Sequence, residues 1–457
     1  MGTMSPVTTG TITGALANAA MGWAGRWSEP AVRGRVAECV LDHIACVCEG
    51  ADSQQARYPK WIADCQFKGA CATAVGGESL PAALAAYCNG QAANALDYDD
   101  TLVGHPGAAI IAAAVAAGES ANASLDRVMA GICAGYDVHY VLTAAGWPSR
   151  ARSGLVRGIG VWESVAAAVA VAIVWQLSEA QVVAAVNLAV VHAVPPYVAK
   201  WYERPVPSVK NNLGWAALGA IWAVEAVMEG SCGISNALDG PQGFFRIAGS
   251  DRWQWPPGIE TGTPAVMKVA FKRFPACWHI QEYLRAVSAV VVGEEIEERA
   301  TVRVDCAVPP SLMKFLDYRP TTPADVAFSL PCTIALVVVG ARRGAYWSDP
   351  AVFESSAVRA IVAQSKYRRG RTGRIQVRVD GRATQPVRVP EPDYWNPAPW
   401  GLSSAEVRAK YEALVTARVG GEVARGAAEC LTSASATGGL GPLVRVLRDR
   451  RLQVRGG

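Results

Sequence analysis

Histidine is scarce in this chain. Five occur in 457 residues, at His43, His105, His139, His192 and His279, and none falls in HExxH or zinc-finger spacing. Gly154, Gly158 and Gly160 form a loose cluster that lacks the third glycine of GxGxxG. No Walker A string and no GxSxG elbow occurs. These absences remove support from a metal enzyme, a nucleotide enzyme and a serine hydrolase. There are twelve cysteines but no CxxC; Cys46 and Cys48 make a CxC. The first 27 residues lack a basic stretch followed by a clean apolar one, so no signal peptide is expected. Scattered thiols then fit a reducing cytoplasm. The longest apolar run, residues 165–175, is too short to span a bilayer. Net charge is only +4, which gives no strong pull toward nucleic acid or an anionic membrane. The one basic run, residues 366–374, reads as a solvated loop before a strand, with a phosphate contact as the alternative.

What the chain has is apolar mass, 51% of residues, with alanine leading. Alanine costs no side-chain entropy in a helix and favours close helix packing. From about residue 28 to 230 apolar residues recur at three and four. Ser178-Glu179-Ala180-Gln181 reads as a capping box. Residues 112–117, 165–174 and 215–228 are apolar nearly all round, as in helices buried on most sides. After about residue 261 the texture changes. Residues 301–308 and 374–379 alternate like strands, 333–339 is a β-branched run read as a strand, and 352–364 looks helical. Ser403-Ser404-Ala405-Glu406 forms a second capping box, after a proline-rich connection at 386–399. The expected fold is mainly α: a helical domain (1–265), a smaller α+β domain (266–400) inserted before C-terminal helices (401–457) that rejoin the first domain.

One segment concentrates chemistry. Asp97-Tyr98-Asp99-Asp100-Thr101 precedes His105-Pro106-Gly107 and an Ala-rich helix. Three carboxylates within four residues repel one another unless something uses them. Helix capping and an active site both account for such crowding.

Here the sequence resembles the MmgE/PrpD family, in which an LDFDDT-like string precedes HPG and an Ala-rich helix. This chain has Leu96-Asp97-Tyr98-Asp99-Asp100-Thr101 and then His105-Pro106-Gly107. Ala72-Thr73-Ala74-Val75-Gly76-Gly77 and Asn89-Gly90 resemble the family's TVxGG and NG elements. Lys210, in Ser208-Val209-Lys210-Asn211-Asn212-Leu213-Gly214, resembles its lysine before a further helix. Gly240-Pro241-Gln242-Gly243-Phe244, Phe271-Lys272-Arg273-Phe274-Pro275-Ala276-Cys277 and Ala327-Phe328-Ser329-Leu330-Pro331 are similar to its EGPxGF, KxYPxC and AxFSLPY. The matches run in order from about residue 36 to 340.

The resemblance implies a helical domain and an α+β lid, usually as a homodimer, with a cofactor-free active site between them that takes a small carboxylate-bearing substrate. Members dehydrate 2-methylcitrate, decarboxylate cis-aconitate or epimerise iminodisuccinate. Such reactions move a proton on carbon beside a carboxylate and must stabilise enolate-like charge. His105 is the first choice for the proton, because imidazole titrates in the right range; its alternative is helix capping. Asp97 orients or polarises the site, Asp99 or Asp100 shares that role or caps, and Thr101 can hydrogen-bond a substrate carboxylate. Lys210 is assigned to a carboxylate or the enolate charge, Lys272 is a second cation, and Tyr318 is a donor from the lid or simply a half-buried tyrosine. Two departures stand out. Arg157 falls where many members carry a histidine; it can grip a carboxylate but cannot act as a base. After Pro275, Cys277 and Gln281 fall where members have histidines, and His279 lies between them. These departures point to a changed substrate, in a specialised biosynthetic pathway. The leading expectation is a lyase; an isomerase, epimerase or cyclase on the same scaffold, and a non-catalytic dimer that binds an acidic metabolite, are the alternatives.

Overall fold

Small side chains let the first half of the chain pack helix directly on helix. The structure, a computed structural model, describes residues 11–57, 71–149, 151–152, 156, 161–193, 203–206, 211–251, 253, 262–293, 301–432 and 438–449. The first half forms α1 (Ile12–Gly25), α2 (Pro30–Gly50), a short antiparallel pair β1 (Ala72–Thr73) and β2 (Ser79–Leu80), α3 (Ala82–Asn94), α4 (Pro106–Ser120), α5 (Leu125–Ala145), α6 (Glu163–Val174), α7 (Glu179–Ala189) and α8 (Leu213–Met228). Helices α3, α4, α6 and α8 pack on one another, and α5 packs on α6. Gly90 shows how close they come. A Cβ there would lie 2.8 Å from both the Ala108 carbonyl oxygen and the Gly214 Cα, so α3, α4 and α8 meet at backbone distance. Ser178 and Gln181 form the expected capping box at α7. The helix expected at residues 215–228 is less enclosed than its composition implies: α8 buries Leu213, Ala216 and Ala220 but exposes Trp215, Trp222 and Met228.

Among the described residues, one helix, α5, is long and apolar enough to cross a membrane by length and composition. Its most apolar window is 83% buried inside the fold. It also carries buried Asp137 and His139.

A second apolar cluster gathers residues from Phe274 to Val389, together with Val206. Strand β3 (Val302–Val308) runs parallel to β4 (Lys366–Arg369) and antiparallel to β5 (Gly373–Val379), pairing Cys306 with Ile375. The inward positions Val304, Cys306, Val308, Ile375 and Val377 share one apolar cluster with α9 (Gln281–Gly293), which packs on β5, with α11 (Ser356–Gln364), which packs on β3, and with α10 (Leu330–Val338), which packs on both helices. Two expectations need correction. Residues 333–339 are not a strand: they lie in α10, where the Ser329 side chain caps the Cys332 N–H and Pro331 sits in the first turn. A fully buried apolar run carries no periodicity that separates strand from helix. The basic run at 366–374 is not a loop: β4 is an edge strand whose Lys366, Arg368 and Arg369 point to solvent, a composition that discourages further strand pairing.

The chain then returns. Helices α12 (Ser404–Val419), α13 (Gly421–Thr432) and α14 (Gly441–Arg448) follow the sheet, and Ser403 with Glu406 supplies the second capping box. Helix α12 lies along α2, and Arg418 Nη1 donates to the Cys48 carbonyl at 2.9 Å. The architecture is mainly α.

Candidate active site

The acidic string and the histidine lie in one tight turn between α3 and α4. Asp97 (φ 52°) and Val103 (φ 50°) adopt left-handed backbone. For a β-branched valine this costs on the order of 1–3 kcal/mol. The turn is fixed to a distant segment by a two-bond bridge: Thr101 N–H donates to Ala270 O at 2.8 Å and Ala270 N–H to Thr101 O at 3.0 Å. That bridge brings Lys272 under the turn.

Each of the three acids has its own task. Asp97 takes the cation: Lys272 Nζ is 2.5 Å from its Oδ1 and 3.0 Å from its carbonyl oxygen. Asp99 takes the histidine: His105 Nδ1 is 3.2 Å from both its oxygens. Asp100 caps α4, accepting from Gly107 N–H at 3.2 Å and from Tyr136 Oη–H at 2.6 Å. His105 itself makes no side-chain cap. Capping and site chemistry are therefore both present, on different residues.

The Asp99 carboxylate can only accept, so His105 Nδ1 carries the hydrogen and Nε2 carries the lone pair. Nε2 lies 3.6 Å from Asp97 Oδ1. Burial pushes the imidazole below the ordinary histidine pKa; Asp99 and Asp97 pull it back only in part, and Lys272 adds to the downward push. At neutral pH the ring is an uncharged base with an oriented partner, the arrangement that proton abstraction requires. Its side chain is 10% exposed, against 1% for Asp97 and 0% for Lys272. Of these three side chains, the imidazole is the one most open to an incoming molecule.

The cation is wholly internal. Burial alone would lower the Lys272 pKa, yet the Asp97 and Asp99 carboxylates hold it above the ordinary lysine value. One donor atom each from Asp97, Asp99 and His105 lie within 4.8 Å of one another, a set a metal ion could use. The Lys272 ammonium already sits 2.5 and 3.7 Å from the two carboxylates, so a dication would have to displace it. Lys272 was expected to face substrate. Its contacts are with Asp97 and Asp99 instead.

Burial, with the Asp99 charge beside it, lifts the Asp100 carboxyl to about 7. Burial holds His43, on α2, down to about 4. Asn94 at the end of α3 donates to Asp99 at 2.9 Å and accepts from Asn211 Nδ2 at 3.0 Å. Asn211 follows Lys210 in the chain. Behind the turn His139 Nε2–H donates to Leu102 O at 2.8 Å, and a Cβ on Gly104 (φ 157°) would meet Glu163 Oε1 at 3.0 Å.

The remaining expected residues divide. Lys210 and Arg157 lie outside the described residues. Cys277 is buried near Asp97 and Lys272, and burial with the Asp97 charge pushes its thiol up to about 11, so it is not a thiolate at neutral pH. The His279 ring packs 5.5 Å from Phe315 and 5.0 Å from Tyr394, whose hydroxyl bonds the imidazole. Tyr318 is exposed and packs edge-on against Tyr367 at 5.5 Å, on the wall of a cavity of about 690 Å³ shared with Cys332, Phe353 and Val358. No contact joins it to the His105 group among the described residues.

Gln281, where the resemblance implies a histidine, is a clamp. Its Oε1 accepts from Arg273 and Phe274 N–H at 3.2 and 3.1 Å, and its Nε2 donates to Phe274 and Ala276 carbonyls at 2.9 and 2.8 Å. All its hydrogen-bonding capacity holds the loop that follows Lys272. Gln281→Leu strands those backbone groups and is expected to lower unfolding free energy by about 1–3 kcal/mol. An unchanged urea midpoint would show that the clamp is dispensable.

Sequence reasoning missed Asn94, Asn211, Asp42 and Lys410. Asn211 lies in the stretch already likened to the family's lysine element, but no local pattern names the partners of these four residues, and only the fold brings them to Asp99 and Lys272. Compared with known proteins, residues 14–255 match the MmgE/PrpD N-terminal domain, a little over half of the chain. No curated protein matches the chain.

Proposed function

The chain belongs to the MmgE/PrpD family, and from that premise we propose that it is a cofactor-free lyase acting on a carbon next to a carboxylate. The family is one of dehydratase- and decarboxylase-type enzymes. The observation that carries the reading is the Asp99–His105 pair: it leaves a neutral Nε2 lone pair on the most open member of a buried acid cluster.

In a dehydration, Nε2 of His105 accepts the proton from the carbon beside the carboxylate. The electron pair of that C–H bond forms the new double bond and expels the neighbouring hydroxyl, which takes up a proton and departs as water. In a decarboxylation, the breaking bond to carbon dioxide supplies the electron pair, and a protonated His105 delivers the proton to that carbon. Enolate-like charge next to His105 meets the positive end of α4, whose first turn begins at Pro106. Lys210 and Arg157 are the cations we assign to the substrate's carboxylates. Thr101 is the hydroxyl we assign to them, its backbone held by the Ala270 bridge.

We further propose that residues 266–400 act as a lid over this site, that the working form is a homodimer, and that it acts in the cytoplasm. The separate apolar cluster of residues 274–389 supports the first. The exposed ridge of Trp215, Trp222 and Met228 supports the second. The free cysteines among the described residues are consistent with the third.

The test is incubation of the purified protein with hydroxy- and unsaturated di- and tricarboxylates in deuterium oxide. Loss of water or carbon dioxide from one of them is the expected result. Deuterium entering a substrate that loses neither would replace the lyase with an isomerase or epimerase. Binding without turnover, unaffected by His105→Ala, would leave a non-catalytic carboxylate binder.

A further inference from the structure

Lys410 lies on α12, far along the chain from the acidic turn, and its side chain is 4% exposed. Its ammonium group has three N–H donors. One reaches Asp42 Oδ1 on α2 at 2.7 Å, one the carbonyl oxygen of Tyr98 at 2.7 Å, and one that of Lys272 at 3.4 Å. The same ammonium lies 3.7 Å from the Tyr98 ring. Tyr98 stands between Asp97 and Asp99, so a single side chain grips both stretches of backbone that bring the Lys272 ammonium to the acids.

The charges around the site are few enough to count. Asp42, Asp97 and Asp99 are the carboxyl groups that pair with the two ammonium groups, Lys272 and Lys410. His43 and Cys277 are neutral near pH 7. Asp100 is hydrogen-bonded to Tyr136 and Gly107, and burial lifts its carboxyl to about 7. Glu163 and His139 face the turn from behind, from α6 and α5. Without Lys410, the carboxyl groups of Asp42, Asp97 and Asp99 would be left with the Lys272 ammonium alone.

We propose that Lys410 is a positioning residue of this site: it ties the Asp97–Asp99 turn to the Lys272 segment and supplies the second positive charge that balances the acids around His105. The proposal rests on the reading of His105 as the proton-handling group, but part of its test does not need turnover.

The full chain is prepared as wild type, Asp42→Asn, and the double variant Asp42→Asn with Lys410→Met. The single change Lys410→Met is a poor variant, because it strands the buried Asp42 carboxylate, whereas after Asp42→Asn the Lys410 ammonium keeps the Tyr98 and Lys272 carbonyls and gains an amide oxygen; removing both charges of a buried pair is better tolerated than removing one. The His105 ring is titrated by NMR, its signal assigned from its loss in His105→Gln. Asp42→Asn removes one negative charge and is expected to lower the titration midpoint by roughly half a pH unit or more, the scale of one charge acting through an effective dielectric near 20. The double variant, with net charge restored, is expected to titrate close to wild type. Its turnover is expected to fall about tenfold with KM little changed, because the two carbonyls have lost their shared donor. A midpoint identical in all three proteins would overturn the charge role. Full turnover in the double variant would overturn the positioning role. If no substrate is turned over by any form, the titration still decides the charge role, and the failure then belongs to the catalytic reading of His105.

Discussion

His105→Ala is expected to reduce turnover at least about a hundredfold while leaving the protein folded, the usual worth of a general acid–base group. Several features make this sharper than a generic prediction. The imidazole makes no cap to α4, so its removal does not unravel that helix. Its bonded partner, Asp99, keeps the Asn94 donor and stays near the Lys272 ammonium, so the vacated carboxylate is still compensated. Thermal stability should therefore change little, while kcat collapses. The pH profile of the wild type supplies a second readout. A base must be unprotonated to act, and burial sets the His105 pKa below the ordinary histidine value. The acid limb of kcat/KM should therefore lie below pH 6.5, with activity lost as pH falls through the lowered pKa and restored above it. An alanine variant that turns over at the wild-type rate removes the imidazole from the mechanism.

Lys272→Met carries the second large effect, first on stability. The ammonium is wholly buried and is the cation in contact with Asp97, lying 3.7 Å from Asp99 as well. Removing one partner of such a buried group leaves uncompensated carboxylate charge and costs on the order of 3–5 kcal/mol. The expected result is a large drop in the urea midpoint and a loss of turnover of about a hundredfold or more. Adding Asp97→Asn should recover much of the stability, since both charges then go together, but not the turnover, because Asp97 Oδ1 lies 3.6 Å from Nε2 of His105. If Lys272→Met melts and turns over like the wild type, the carboxylates are protonated and the charge reading of the cluster fails.

Much of this was legible in the chain. Period-3.6 apolar patterning located the Ala-rich helices, and Ser178 and Ser403 announced two helix starts by their capping boxes. The acidic string before His105 marked the site, because three carboxylates in four residues need partners. What the string could not disclose was their division of labour, since the partner of each acid comes from elsewhere: Lys272 through the Thr101–Ala270 bridge, His105 across the turn, Tyr136 from α5. Lys272 and Arg273 are adjacent cations whose surroundings the chain does not tell apart; in the fold one is fully buried and the other pairs with Glu406 on α12. Lys410 did leave a trace. In α12 it sits three residues after Val407 and one before Tyr411, on the stripe that Leu414 and Val415 continue. A lysine on an apolar stripe is a buried charge awaiting a partner. Residues 333–339 were unreadable for a simpler reason: a segment apolar on every side offers no contrast from which a period can be taken. The absent histidines near 277 and 281 look like a loss of chemistry, but Gln281 shows that one of those places has been given over to holding a loop.

The order in which these charges occur along the chain governs how the protein can be made. Asp42, Asp97, Asp99 and Asp100 leave the ribosome well before Lys272, and Lys410 follows 138 residues later still. Until Lys272 emerges, 175 residues after Asp97, the nascent turn carries acids whose lysine partners do not yet exist, which favours keeping it hydrated and open. Final closure around the acids waits for α12, so a chain released before that helix would be left with its most acidic turn unable to settle into the interior.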